Sequence, residues 1–208
     1  MKWKTRLVDW SIHRTDFINS LIEKRGYKSY LEIGVRDTRD NFDNIVCDDK
    51  VAVDPTFKAI RQPSIGKYHE ITSDEFFKIN TSQFDIIFID GLHLEHQVTK
   101  DIDNSLKCLN KKGCIILDDC NPSEEEHQFE NYPGKGTWNG TVWKSFVKKR
   151  IDPNLRMFTI DTRNGLGYIQ KGKPYNLLEL DDDEITWDNF NANRYSWLNL
   201  FPIWKIKL

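Results

Sequence analysis

A chain of 208 residues that is 38% hydrophobic and carries 12 Phe, 7 Trp and 7 Tyr has enough large apolar side chains for one α/β domain with short extensions, which excludes disorder over most of its length. Thirty basic residues against 32 acidic ones, without a long basic tract, exclude a reader of phosphate backbones, so nucleic acid is not an expected partner. No segment approaches the length of a membrane span and no signal-peptide core follows the basic start, so the expected location is cytoplasmic.

In chain order, Thr15 opens a predicted helix over 15–25 as its cap, and Phe17, Ile18, Leu21 and Ile22 share one face before Gly26 ends it. Residues 1–27 are read as a helical extension of the domain. Tyr30–Val35 is a short strand-like run followed by a polar loop, 36–41. Residues 50–54 form a second strand that ends in Asp54 and is stopped by Pro55. Asp54 lies 54 − 34 = 20 residues beyond Gly34, the interval at which an acid in a nucleotide-binding β–α–β unit accepts from the ribose hydroxyls. A weaker third strand, 67–71, leads to Thr72, Ser73 and Asp74.

Phe84–Ile89, apolar except at Asp85, and Cys114–Leu117 are apolar runs, the first ending in Asp90 and the second in Asp118 and Asp119. Runs of this kind read as strands buried on both faces, and ligands of open parallel sheets sit beyond the carboxyl ends of such strands. The site is therefore expected at these acids. Leu94, Val98, Ile102, Leu106 and Leu109 recur at helical spacing between the two runs, so a crossover helix joins parallel neighbours.

Residues 121–137 contain Pro122, Pro133, Gly134 and Gly136 and read as a long loop, either a substrate lid or a plain surface excursion. Trp138, Val142, Trp143, Phe146 and Val147 restore helical spacing. Asn164–Gly165 between the strand-like runs 155–160 and 166–170 signals a hairpin. An acidic stretch, 179–184, then links to an aromatic segment with Trp187, Trp197 and Trp204, and residues 173–208 are expected to pack on the same domain. Cys47, Cys108, Cys114 and Cys120 form no C-x-x-C pair and read as reduced, mostly buried thiols.

Several of these segments carry a resemblance: Leu31–Glu32–Ile33–Gly34–Val35, Asn41–Phe42, Val53–Asp54–Pro55, Asp90–Gly91–Leu92–His93, Asp118–Asp119–Cys120–Asn121–Pro122 and 138–144. Together they resemble class I S-adenosylmethionine-dependent methyltransferases, in a bacterial branch often associated with surface-glycan biosynthesis. The resemblance implies a doubly wound, mostly parallel seven-stranded sheet over residues 28–172, of Rossmann-like form, with an antiparallel strand supplied by the C-terminal hairpin. It implies S-adenosylmethionine as cofactor, held by Glu32, Gly34 and Asp54, with Asp90 also on the cofactor side and Ser73 and Asp74 near the adenine. The first loop lacks the further glycines of many relatives, so side chains such as Asp37 or Asn41 are expected to reach the cofactor.

Metal-dependent catechol-type O-methyltransferases show a similar series of acids and base, which Asp90, His93, Asp118 and Asp119 match in order. A hydroxyl needs a base to become a nucleophile near neutral pH, and three carboxylates from neighbouring strand ends favour a hard cation such as Mg²⁺. The expectation is therefore Asp90, Asp118 and Asp119 as metal ligands, and His93 as general base with Asp90 beside it. The acceptor is expected to be a hydroxyl of a sugar, glycan precursor or other small polar molecule.

Plainer readings stand beside these. His93 could solvate a helix start, Asp118 and Asp119 could be strand-end polar residues, and Trp138 and Trp143 fit packing roles. A nicotinamide-dependent oxidoreductase is disfavoured by the missing G-x-G-x-x-G. A non-catalytic cofactor-binding module, or a subunit of a glycan-biosynthesis assembly, remains the alternative. The sequence leaves the oligomeric state open.

Overall fold

A computed structural model describes residues 13–202 of the chain. Its strands are β1 (Ser29–Ile33), β2 (Asp49–Val53), β3 (Lys67–His69), β4 (Phe84–Ile89), β5 (Leu109–Leu117), β6 (Leu155–Ile160), β7 (Leu166–Lys171) and β8 (Leu200–Phe201). They form one sheet in the order β3-β2-β1-β4-β5-β7-β6-β8. β7 runs antiparallel to β5 and β6 in an otherwise parallel sheet. The expected fold is thus present with eight strands in place of seven, because the two-residue β8 adds parallel to β6. A strand of two residues carries no alternation that a sequence could display. Trp204 and the rest of 203–208 lie outside the described residues, as do residues 1–12.

Among the described residues, five α-helices flank the sheet: α1 (Arg14–Arg25), α2 (Ser73–Ile79), α3 (Glu95–Cys108), α4 (Val142–Lys149) and α5 (Trp187–Leu198). Side chains of successive strand residues point to opposite faces, and the apolar runs divide accordingly. Leu31, Ile33, Ile87, Ile89, Ile115 and Leu117 join Val98, Ile102, Trp143, Phe146, Phe190 and Trp197 in one core cluster. Tyr30, Ile86, Phe88, Cys114 and Ile116 join Phe17, Ile18, Leu21 and Ile22 of α1 in the other. Both faces of the central strands are buried, which is why their sequences are apolar at most positions on both faces.

Several boundaries moved. The α1 cap is His13, whose side chain accepts from the Thr15 amide, while Thr15 itself lies inside the helix. The segment 73–79 after β3 is helical, with a capping box between Thr72 and Glu75. β5 begins at Leu109, earlier than its apolar run, with a register shift against β4. The β6–β7 hairpin turns through residues 161–165, longer than the Asn164–Gly165 dipeptide alone.

The C-terminal aromatic residues join the main core: Phe190 lies 4.2 Å from Trp143, ring centre to ring centre, and Arg194 stacks over Phe190. Arg194 also donates to Asn121 Oδ1 and to the carbonyl of Pro122, tying α5 to the loop after β5. Among the cysteines, Cys114 and Cys120 are buried, Cys47 and Cys108 are partly exposed, and all four are free thiols. Among the described residues, no helix is long and apolar enough to cross a membrane.

Candidate active site

The carboxyl ends of β1, β2, β4 and β5 meet at one edge of the sheet, and the loops leaving them are locked together. Gly34, just past β1, has φ of 86° and its amide donates to the carbonyl of Val53 at the end of β2. A Cβ at this position would stand 2.2 Å from the carbonyl oxygen of Asp90, so only glycine lets the β1 and β4 loops touch. Arg36 is also left-handed, at φ of 50°, and its amide donates to Asp54 Oδ2 at 2.8 Å. The Thr56 amide donates to Asp54 Oδ1, also at 2.8 Å. An ionised carboxylate offers about four acceptor sites. Asp54 therefore keeps capacity for hydroxyl donors beyond these two amides, which fits the ribose of an adenosine cofactor.

Glu32 lies on β1 facing α1 and is buried. Its Oε2 accepts from the Tyr30 hydroxyl at 2.5 Å and from Asn41 Nδ2 at 3.0 Å, and burial raises its pKa to about 7 against these stabilising bonds. Asn41 is buried as well and accepts from the Thr15 hydroxyl at 2.7 Å. Asp37 is buried and binds the amide and guanidinium of Arg39; the Arg39 hydrogen bonds hold it down to about 2. Both side chains named as cofactor contacts are thus engaged inside the protein, bracing the first loop. Ser73 and Asp74 sit in the first turn of α2, where Gln97 Nε2 donates to both, and Lys100 also binds Asp74. This places them beside the start of α3.

Asp90, His93, Asp118 and Asp119 come together as the sequence implied, in a different pairing. His93 Nε2 lies 3.2 Å from Asp90 Oδ1 and 3.4 Å from Asp119 Oδ2, while Nδ1 lies 3.3 Å from the carbonyl of Trp138. Burial disfavours the imidazolium, but the hydrogen bond to Asp90 and the charges of Asp119, Asp90 and Asp118 outweigh it and raise His93 to about 9. Asp119 is buried and its backbone is left-handed, at φ of 60°. Burial and the neighbouring Asp118 charge push its carboxyl pKa up.

Residues that the sequence reading did not assign complete the site. Arg14, the first residue of α1, donates from Nη1 to Asp90 Oδ2 at 2.6 Å and to Asp118 Oδ2 at 2.7 Å. Asn139 Nδ2 donates to Asp119 Oδ1 at 2.9 Å. Trp138 stacks on His93 with ring centres 4.7 Å apart, and Tyr132 packs against Trp138. Trp138, directly after the 121–137 loop, thus covers one face of His93, with Tyr132 of that loop packed behind it. Gly140, at φ of 56°, lets this segment close in, since a Cβ there would stand 2.1 Å from the His93 carbonyl oxygen. Asn139 and Trp138 belong to the 138–144 segment that carries part of the family resemblance, whereas nothing in the local pattern marks Arg14.

The three acids expected to hold Mg²⁺ do not form a free ligand set. Two of them share the Arg14 guanidinium, and the ligand atoms that converge within 4.8 Å belong to Asp90, His93 and Asp119. That donor set contains an imidazole, whereas Mg²⁺ demands near-octahedral oxygen coordination. The residues present therefore do not fit the expected Mg²⁺ site.

A parallel sheet with one antiparallel strand puts the acid at the end of β2 and the cluster of ionisable groups at the ends of β4 and β5 along the edge where open α/β sheets take their ligands. Residues 5–120 match the model of the methyltransferase domain family. The chain belongs to this family and is an S-adenosylmethionine-dependent methyltransferase. No curated protein matches it by sequence.

Among solved structures it is similar to a Staphylococcus aureus protein assigned as a caffeoyl-CoA O-methyltransferase, at 19% identity and a TM-score of 0.57 over 77% of this chain and 85% of that one. A Podospora anserina methyltransferase with S-adenosylhomocysteine bound aligns at 17% identity and a TM-score of 0.60, covering 79% and 81% of the two chains. A Streptomyces achromogenes O-methyltransferase involved in tomaymycin synthesis, in complex with S-adenosylmethionine, aligns at 13% identity and a TM-score of 0.57, covering 79% and 82%. At these identities the likeness is one of fold.

Proposed function

We propose that the chain methylates a hydroxyl of a small polar acceptor, a sugar or glycan precursor being the favoured class. The observation that carries this reading is His93 held between Asp90 and Asp119 at the carboxyl ends of β4 and β5. A hydroxyl holds its proton tightly near neutral pH, so its attack on a methyl group requires a nearby proton acceptor. S-Adenosylmethionine, when bound, supplies the methyl group.

The cofactor side of the site is proposed at Gly34, Glu32, Asp54 and Asp90, with Asp54 accepting from the ribose hydroxyls and Ser73 and Asp74 toward the adenine. Asp37 and Asn41 act on the cofactor through the loop they brace. His93 takes the acceptor proton at Nε2, and Asp90 and Asp119 stabilise the imidazolium that results. The partly exposed aromatic rings of Trp138 and Tyr132 beside His93 suit an acceptor with apolar ring faces and polar edges.

One observation favours a second assignment of the proton. Both ring nitrogens of His93 face acceptors, a setting that favours the imidazolium. In that case the Asp119 carboxylate accepts the proton, and His93 remains charged throughout.

The test is transfer of labelled methyl from S-adenosylmethionine to a panel of free and nucleotide-linked sugars, followed across pH. With His93 as base, initial rates rise with pH toward about 9, and His93→Gln lowers turnover by roughly a hundredfold to ten-thousandfold. A rate that is level from pH 7 upward and is lost in Asp119→Asn assigns the proton to Asp119. Methyl transfer exclusively to nitrogen, or full activity in both variants, contradicts the proposal.

A further inference from the structure

We propose that the guanidinium of Arg14 is the resident cation of this site, filling the place between Asp90 and Asp118 that a divalent metal would otherwise take. A single nitrogen, Nη1, bridges the two carboxylates at 2.6 and 2.7 Å, short charge-assisted bonds to both. The guanidinium also lies over the ring of Phe88, with 5.5 Å to its centre, and its side chain is about one-quarter exposed. It is a built element of the site.

Each carboxylate of the site already has a partner within the protein. Three carboxylates, Asp90, Asp118 and Asp119, face the Arg14 guanidinium and the His93 imidazole. Arg14 is paired with Asp90 and Asp118, and His93 Nε2 lies within 3.4 Å of Asp90 and Asp119. A divalent ion placed on Asp90 and Asp118 would have to displace Nη1, and one placed on Asp90, His93 and Asp119 would sit beside a fixed positive charge on the other oxygen of Asp90. Repulsion between like charges at that range is large in a partly buried site.

Arg14 also keeps donors in reserve. Its two bonds use only Nη1, and because Nε is enclosed by the protein, the donors in reserve are those of Nη2. A guanidinium carries five N–H groups. The unused donors give this residue the means to hold an acceptor oxygen, the task a metal would have performed. That last step rests on the methyltransferase reading; the occupancy of the site by Arg14 does not. Methyl transfer by this chain is accordingly metal-independent.

Mn²⁺ binding to the full chain, followed by the loss of the free-ion signal in electron paramagnetic resonance, tests the occupancy without any acceptor or cofactor. The wild-type chain is expected to take up no Mn²⁺ at this site. Arg14→Met, and Arg14→Gln as a second variant, are expected to bind one ion per chain at least about tenfold more tightly, because both remove the positive charge and free the carboxylates. Stoichiometric Mn²⁺ binding by wild type that is lost in Asp118→Asn overturns the proposal. A folded Arg14 variant that binds no more Mn²⁺ than wild type overturns it equally. The wild-type arm is decisive by itself should both variants fail to fold. Loss of methyl transfer on chelation, restored by Mg²⁺, would overturn metal independence while leaving the methyltransferase assignment intact.

Discussion

Asn139 donates its side-chain amide to Asp119 Oδ1 at 2.9 Å, and this bond fixes a buried carboxylate whose own backbone is left-handed. A non-glycine residue at positive φ persists only where its surroundings hold it. Asn139→Ala removes the amide while Asp119 remains buried beside Asp118 and is expected to cost about 1–3 kcal/mol. Urea denaturation measures the loss, and an unchanged midpoint would show that Asn139 is not what holds Asp119.

Gly34 makes the contact between the β1 and β4 loops. Replacing it by alanine forces a Cβ to within 2.2 Å of the Asp90 carbonyl at a residue with φ of 86°. Backbone strain and overpacking together are expected to cost roughly 2–5 kcal/mol. Chemical denaturation of Gly34→Ala reads this directly, and stability equal to wild type would mean that the two loops part at little cost.

Glu32 gives a stability term with a definite sign. Burial raises its folded pKa from 4.5 to about 7, against the hydrogen bonds from Tyr30 and Asn41. A carboxyl raised in the folded state contributes stability that is complete below its unfolded pKa and is lost as pH rises through its folded value. Glu32→Gln stays neutral and is free of this loss. The difference in unfolding free energy, variant minus wild type, is therefore expected to move in favour of the variant by about 3 kcal/mol between pH 4 and pH 8. A difference that stays constant across that range would mean that Glu32 titrates normally.

How much of this was legible in the sequence follows from the range of the interactions involved. Phe84–Ile89 and Cys114–Leu117 announced buried strands because they are apolar but for Asp85, and the acids that end them lie together at the strand ends as a result. The place of Asp54 at the end of β2 was legible from the strand-like run before it and from Pro55 after it. The Thr72–Glu75 capping box is a local signal for α2 that was present in the residues and passed over.

Arg14 is another matter: it reaches Asp90 across 76 positions and Asp118 across 104. No periodicity records such a contact, since it depends on how α1 docks against the sheet. The inward turn of Asp37 and Asn41 has the same origin. Both are polar loop residues that look like ligand contacts until Arg39, in the first case, and Thr15, Tyr30 and Glu32, in the second, are placed around them. The C-terminal aromatic segment showed composition only, because its pairing of Phe190 with Trp143 is equally long-range.

The assignment of the strand ends as an S-adenosylmethionine site is tested most directly by calorimetric titration of the chain with S-adenosylhomocysteine, comparing wild type with Asp54→Ala. The side chain of Asp54 is fixed by the amides of Arg36 and Thr56 with acceptor capacity to spare. Hydrogen bonds to a charged group contribute about 1.5–3 kcal/mol each, so the variant should bind roughly tenfold to a hundredfold more weakly than a wild type that binds one molecule per chain. Absence of binding to the wild-type chain, or equal affinity in Asp54→Ala, would contradict the assignment.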